Sequence, residues 1–146
     1  MIESGLKAGD IFTWQNYPYF FKEFKSRRWL LYLGNNTIEA IVYQITTTTQ
    51  YHHYQQDGDR RKNNYFELPA KMGGLEEKSI LDLSFFECIQ ELDFNKCKSD
   101  IGKKGTLTQN YINKFIKHLK KDQYIPTIVK KDIYRYLREA GFQVIS

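Results

Sequence analysis

Arg27-Arg28-Trp29-Leu30-Leu31-Tyr32-Leu33-Gly34 leads into Ile38-Glu39-Ala40-Ile41-Val42-Tyr43-Gln44-Ile45-Thr46-Thr47-Thr48-Thr49 through Gly34-Asn35-Asn36. Both runs are dense in β-branched, aromatic and aliphatic residues, and the Gly-Asn-Asn between them is turn chemistry. They predict two buried strands joined by a tight connection. Paired antiparallel, the entrance of the first strand and the exit of the second lie at the same end of the sheet. Two arginines and a row of threonines then share one corner.

The rest of the chain is read outward from that hairpin. Gly9-Asp10-Ile11-Phe12-Thr13-Trp14 predicts a turn and a short first strand. Gln15 to Lys25 carries Pro18 and reads as an aromatic loop with Tyr17, Tyr19, Phe20, Phe21 and Phe24. Such rings stack on bases, or pin a loop to a core or a second subunit. Beyond the hairpin, the strand is expected to run on through Gln50-Tyr51-His52-His53-Tyr54, which would aim the two histidines at opposite faces. Gln55 to Asn64, with Arg60-Arg61-Lys62, is an exposed turn, and Tyr65 to Leu68 a further strand. Ile80 to Leu83 and Phe85 to Gln90 read as two extended pieces, Asp93 to Cys97 as a one-turn connection, and Ile101-Gly102 as the end of the β part.

Two helices follow. Thr106 or Thr108 can cap the first, whose stripe is Tyr111, Ile112, Phe115, Ile116 and Leu119, with its lysines mostly off that stripe. Pro126 and Thr127 begin the second, with Val129, Ile133, Tyr136, Leu137 and Ala140 on one face and Gly141 just past the end. The fold class is therefore mainly β with C-terminal helices.

With 146 residues, 41% hydrophobic and 27% charged, the chain has the balance of one globular domain. A net charge of +5 and 16% aromatic residues are compatible with a polyanionic partner. No apolar run approaches a membrane span and no signal segment precedes the first strand, so a cytoplasmic protein with no membrane partner is expected. Cys88 and Cys97 fit neither a disulfide framework nor a zinc spacing, and predict buried, reduced thiols.

Phosphate-binding glycine loops, a nucleophile elbow and a His-Glu-x-x-His helix are all missing, and no metal or cofactor is expected. The Arg/Thr corner is what remains. An arginine fork holds two phosphate oxygens and stabilises added negative charge, and a hydroxyl can donate to the same oxyanion. RNA brings its own nucleophile, the 2′-OH, so its cleavage needs only positioning, proton transfer and charge stabilisation.

The order of these parts resembles the MazF/PemK family of toxin endoribonucleases. The likeness runs over residues 5–121. It rests on Gly9-Asp10-Ile11, on Arg28 before Leu30-Leu31-Tyr32-Leu33, and on Ile45-Thr46 ending the next strand. It continues with Gly74-Leu75-Glu76-Glu77-Lys78-Ser79 before a strand, and with Ile101-Gly102 before a Leu107-led helix. The resemblance implies a small, strongly bent SH3-like β-barrel with a docked helix over residues 1–121, and leaves residues 122–146 as a helical extension packed on or beside it. It also implies a homodimer that cuts single-stranded RNA without a metal and is silenced by an acidic antitoxin segment.

The family's catalytic arginine and threonine fall on Arg28 and Thr46. Arg27, Trp14, Tyr17, Thr47, Arg60 and Arg61 are the expected RNA-binding residues. Trp29 stands where the family has proline, and Glu87-Cys88-Ile89 where one branch has Arg-x-Asp. The alternative function is a non-catalytic SH3-like module that binds nucleic acid or protein.

Overall fold

The computed structural model describes residues 5–17, 27–36, 39–47, 52–55 and 57–145, with the backbone alone at positions 44, 46 and 47. Six antiparallel strands form one sheet: β1 (Asp10–Trp14), β2 (Arg28–Asn35), β3 (Glu39–Thr47), β4 (Tyr65–Leu68), β5 (Ser79–Gln90) and β6 (Ile101–Thr106). Their order across the sheet is β4-β5-β3-β2-β1-β6. Among the described residues three helices accompany them, α1 (Glu91–Lys96), α2 (Gln109–Lys121) and α3 (Thr127–Glu139). The expected mainly β fold with C-terminal helices is what the chain adopts.

The quoted hairpin occupies the middle of the sheet because both its faces are covered. Along β2, Trp29, Leu31 and Leu33 join one apolar cluster and Leu30 and Tyr32 the other. A strand buried on both faces reads as an unbroken hydrophobic run, which is what the sequence displays. The first cluster is roofed by Ile112, Phe115, Ile116 and Leu119 of α2 and by Ile133, Tyr134 and Leu137 of α3. The second holds Phe12, Trp14, Tyr17, Ala40, Val42, Ile89 and Phe94, the last carried by α1. The helix beyond residue 121 thus shares a core with the sheet.

β5 is one strand rather than two pieces. Its partner on β3 jumps from Tyr43↔Phe86 to Ile45↔Leu81, so five steps on β5 match two on β3. Extra residues on one strand bend it and sharpen its twist. The bend leaves Ser79–Asp82 free to pair with β4 on the other side. The mixed polarity of Ser84 to Glu87 marks that bend, and it is why the periodicity suggests a break.

The strand ladder ends at β4 on one side and β6 on the other. The 3-10 turn Met72–Gly74 after β4 lies against the β6 edge. A Cβ on Gly74 would come within 2.3 Å of the Lys104 carbonyl oxygen, and one on Gly105 within 2.5 Å of the Gly73 carbonyl carbon. Only glycine permits such backbone-on-backbone contact.

Several local expectations are corrected. His52 and His53 lie in a turn, not a strand, with ring centroids 3.9 Å apart. Gln50 and Tyr51, like Thr48, Thr49, Ile38 and the aromatics Tyr19, Phe20, Phe21 and Phe24, lie outside the described residues. Residues 91–96 form a helix, anchored by buried Phe94. Thr108 occupies the α2 N-cap position without a side-chain cap bond, while the Thr106 hydroxyl donates to Asp10 Oδ1 at 2.7 Å. Cys88 is exposed rather than buried, because strand alternation puts it on the helical face where that face is uncovered; Cys97 is half-buried. The end of α3 follows the expected pattern. Gly141 has φ +101°, its N–H donates to the Arg138 carbonyl, and the Phe142 N–H donates to the Leu137 carbonyl. That pair of bonds is the Schellman arrangement, which satisfies the last carbonyls of the helix. No helix among the described residues is long and apolar enough to cross a membrane.

Candidate functional site

Arg28 is the first residue of β2, and Trp14, the last of β1, is its direct partner across the ladder. On its other side β2 pairs with β3, where Trp29 faces Ile45. That pair ends the ladder, and Arg28 and Thr46 are the next residues of the two strands beyond it. Strand alternation gives Arg28 the face of Leu30 and Tyr32, which is the face of the second cluster. Burial there lowers the guanidinium pKa from its ordinary value, since the charge is partly withdrawn from water. A partly desolvated arginine is a stronger electrostatic partner for a phosphate than one in bulk solvent.

Trp29 sits in the ladder between Thr13 and Ile45, and its side chain is buried in the first cluster. Trp29 therefore continues the strand rather than interrupting it. Arg27 belongs to the opposite face from Arg28. Its guanidinium lies 5.5 Å from the Trp29 ring centroid and 3.5 Å from the Glu76 carboxylate, a contact on the surface.

Trp14 and Tyr17 are both fully buried. They pack edge-to-face at 5.3 Å, and Trp14 also meets Phe94 at 5.1 Å. Neither offers a ring face to a base in this structure; they build the floor of the second cluster. Thr47 is the last residue of β3 and pairs with Ser79, and Thr46 with Ile80. Arg60 and Arg61 lie in the turn before β4, so β5 and β3 separate that edge from β2. There Arg60 covers the Phe85 ring at 4.7 Å and Arg61 donates to the Gly58 carbonyl at 2.8 Å. The structure therefore pairs Arg28 with Trp14 and puts Thr46 at the end of the neighbouring strand, while Arg27 contacts Trp29 and Glu76, and Arg60 and Arg61 lie beyond β3 and β5.

No protein-family model matches this chain. No curated protein matches it significantly either.

Two further acidic residues stand out. Glu87, on β5 opposite Val42, accepts a hydrogen bond from the Tyr17 hydroxyl. Burial pushes its carboxyl up to about 7, so it titrates near neutrality. Asp82 is fully buried, and its carboxyl oxygens are met by hydrogen bonds. Tyr54 donates to it at 2.7 Å, Asn63 at 2.8 Å and the Ser84 N–H at 2.9 Å. Asp82 is thus the clasp that holds the turn before β4 onto β5. The signal for both was available in sequence: an acidic residue inside an otherwise apolar strand must be paired or shifted in pKa. Among the described residues no group of three or more His, Cys, Asp and Glu side chains is gathered as a metal site.

Chemically, the Arg28 corner can hold a phosphodiester. It offers a guanidinium at the start of β2 on the face of the second cluster, with the end of β3 on the neighbouring strand.

Proposed function

We propose that the protein is a metal-independent endoribonuclease of the MazF/PemK type, the toxin of a toxin–antitoxin pair, acting on single-stranded RNA. The observation that supports this reading is the Trp29–Ile45 pairing at the end of the central hairpin, beyond which Arg28 and Thr46 are the next residues of the two strands. The order of motifs along the chain is the second support.

In this reading the 2′-OH attacks the adjacent phosphorus and gives its proton to solvent, and the 5′-oxygen of the next nucleotide leaves and takes a proton from solvent, giving a 2′,3′-cyclic phosphate. Arg28 holds the non-bridging oxygens and stabilises the charge that builds on them, with a threonine hydroxyl at position 46 donating to the same group. The bent sheet is read as an SH3-like barrel in which the turn Met72–Gly74 bridges the gap between β4 and β6. The backbone contacts of Gly73 and Gly74 with β6 support that reading. The working form is a homodimer, and an acidic antitoxin segment competes with RNA for the basic surface.

Expression in a bacterium tests the proposal. Wild type is expected to arrest growth and degrade cellular RNA, and Arg28→Ala to do neither at equal protein level. Growth arrest that persists in Arg28→Ala would contradict it. RNA binding without turnover would favour a non-catalytic binding module.

A further inference from the structure

The C-terminal segment 142–145 lies along α2 and is tied there by side chains rather than by a strand ladder. Gln109, the first residue of α2, grips the backbone of Gln143 through both ends of its amide. Its Oε1 accepts the Gln143 N–H at 2.9 Å, and its Nε2 donates to the Gln143 carbonyl at 2.8 Å. Arg138 of α3 donates to the Val144 carbonyl at 3.1 and 3.3 Å, and Lys120 of α2 to the Ile145 carbonyl at 2.7 Å. Phe142 and Val144 pack against the first apolar cluster, which leaves Gln143 and Ile145 exposed.

Between this segment and α2 is a cavity of about 340 Å³. Ile116, Lys117 and Lys120 line it from α2, and Gln143 and Ile145 from the segment. Ile116 is 6% exposed and forms an apolar floor, whereas Ile145 is 86% exposed. An aliphatic side chain so open to water, on a segment held by several hydrogen bonds, gives the cavity a second apolar surface at little ordering cost. Asn113 lines the same space, and because its Oδ1 accepts from Gln109 Nε2 at 2.8 Å, its amide nitrogen is the atom that can donate to a ligand.

The charge of this groove has one sign. α2 carries Lys114, Lys117, Lys120 and Lys121 and no acidic residue, and lysines at these spacings on one helix repel. Their field reaches His118: burial first, and then the charges of Lys121, Lys117 and Lys114, hold its imidazole below the ordinary histidine range. Lys120 spends only one of its ammonium donors on the Ile145 carbonyl, so it can bind an anion without releasing the segment.

We infer that the groove binds a small amphipathic anion, with its carboxylate on the ammonium groups of Lys117 and Lys120 and a short apolar body between Ile116 and Ile145. The volume suits a small ligand, and apolar walls with a few convergent polar groups are the usual make-up of such a site. A bound anion relieves the lysine repulsion and joins α2 to the C-terminal segment, so it stabilises the folded chain by mass action. The site lies over the first cluster, whereas Arg28 is on the face of the second, and it is independent of the ribonuclease reading.

Titration of the full chain with hexanoate, followed by amide NMR shifts, tests the inference. Hexylamine (the same body with the opposite charge) and acetate (the head without the body) serve as controls. Hexanoate is expected to shift the amides of Gln143, Ile145 and Lys117 saturably, with a dissociation constant on the order of 1 mM, and the controls to bind far more weakly. Lys117→Glu should weaken hexanoate by about fivefold or more, and Ile145→Ser by about threefold. Both positions are exposed, so the variants keep the wild-type fold, which circular dichroism checks. Added sodium chloride should weaken binding to wild type, since exposed charges are screened. Equal binding of hexylamine, an unchanged affinity in Lys117→Glu, or shifts that do not saturate or that centre away from Gln143 would overturn the inference.

Discussion

The Tyr17 hydroxyl donates to the Glu87 carboxylate, joining the segment after β1 to the bent strand β5 across the second apolar cluster. Burial raises that carboxyl from 4.5 to about 7. A carboxyl that holds its proton more tightly in the folded than in the unfolded chain loses stability as pH rises between those two values. Glu87→Gln removes the ionisation but keeps an acceptor for Tyr17. Urea titrations should show variant and wild type alike near pH 4, and the variant more stable by on the order of 1 kcal/mol at pH 8, allowing for partial solvent screening. A difference that does not vary with pH would show that Glu87 is not titrating in this range.

Gly34 lies directly beneath Tyr136 of α3. Its φ is +122°, and a Cβ there would fall 2.4 Å from the ring. Gly34→Ala is expected to destabilise by about 2–4 kcal/mol, combining backbone strain with overpacking. Tyr136→Ala in the same chain should recover the packing part and leave the backbone part, so the two effects are non-additive. Additive losses would mean that α3 does not rest on this corner of the hairpin.

Tyr43 is fully buried among Phe86 and Phe115, and its hydroxyl has no hydrogen-bond partner among the described residues. Burial, with Asp122 nearby, raises its pKa far above the ordinary tyrosine value. Because an unsatisfied buried hydroxyl costs about 1–3 kcal/mol, Tyr43→Phe should leave thermal stability unchanged or raise it. A clear loss of stability would reveal a partner for that hydroxyl.

The strands that could be read from sequence were those whose environment is uniform. β2 and β3 are apolar on both faces, and the stripes of α2 and α3 repeat at helical spacing, so hydrophobicity alone marks them. What escaped was set by tertiary context. β5 looks broken because its bend pairs unequal lengths of two strands. α1 carries one buried anchor, Phe94, too few for a helical period. Trp14 and Tyr17 have the composition of stacking residues, but a cluster formed by residues as distant as Val42 and Phe94 encloses them. Arg28 and Thr46 were legible as one corner because a short hairpin fixes which strand ends meet. Which face each arginine takes was legible only as alternation, and it sends Arg27 to Trp29 and Glu76.

Arg28 is proposed to perform phosphodiester chemistry that needs no metal. The most direct measurement is incubation of purified protein with a mixed-sequence single-stranded RNA in EDTA, followed by mass spectrometry of the new ends. Wild type is predicted to leave 2′,3′-cyclic phosphates, and Arg28→Ala to lose at least a hundredfold in rate with an unchanged circular dichroism spectrum, the loss typical of removing one oxyanion donor, about 10²–10³. Intact RNA with wild type under these conditions, or cleavage by Arg28→Ala at the wild-type rate, would contradict it.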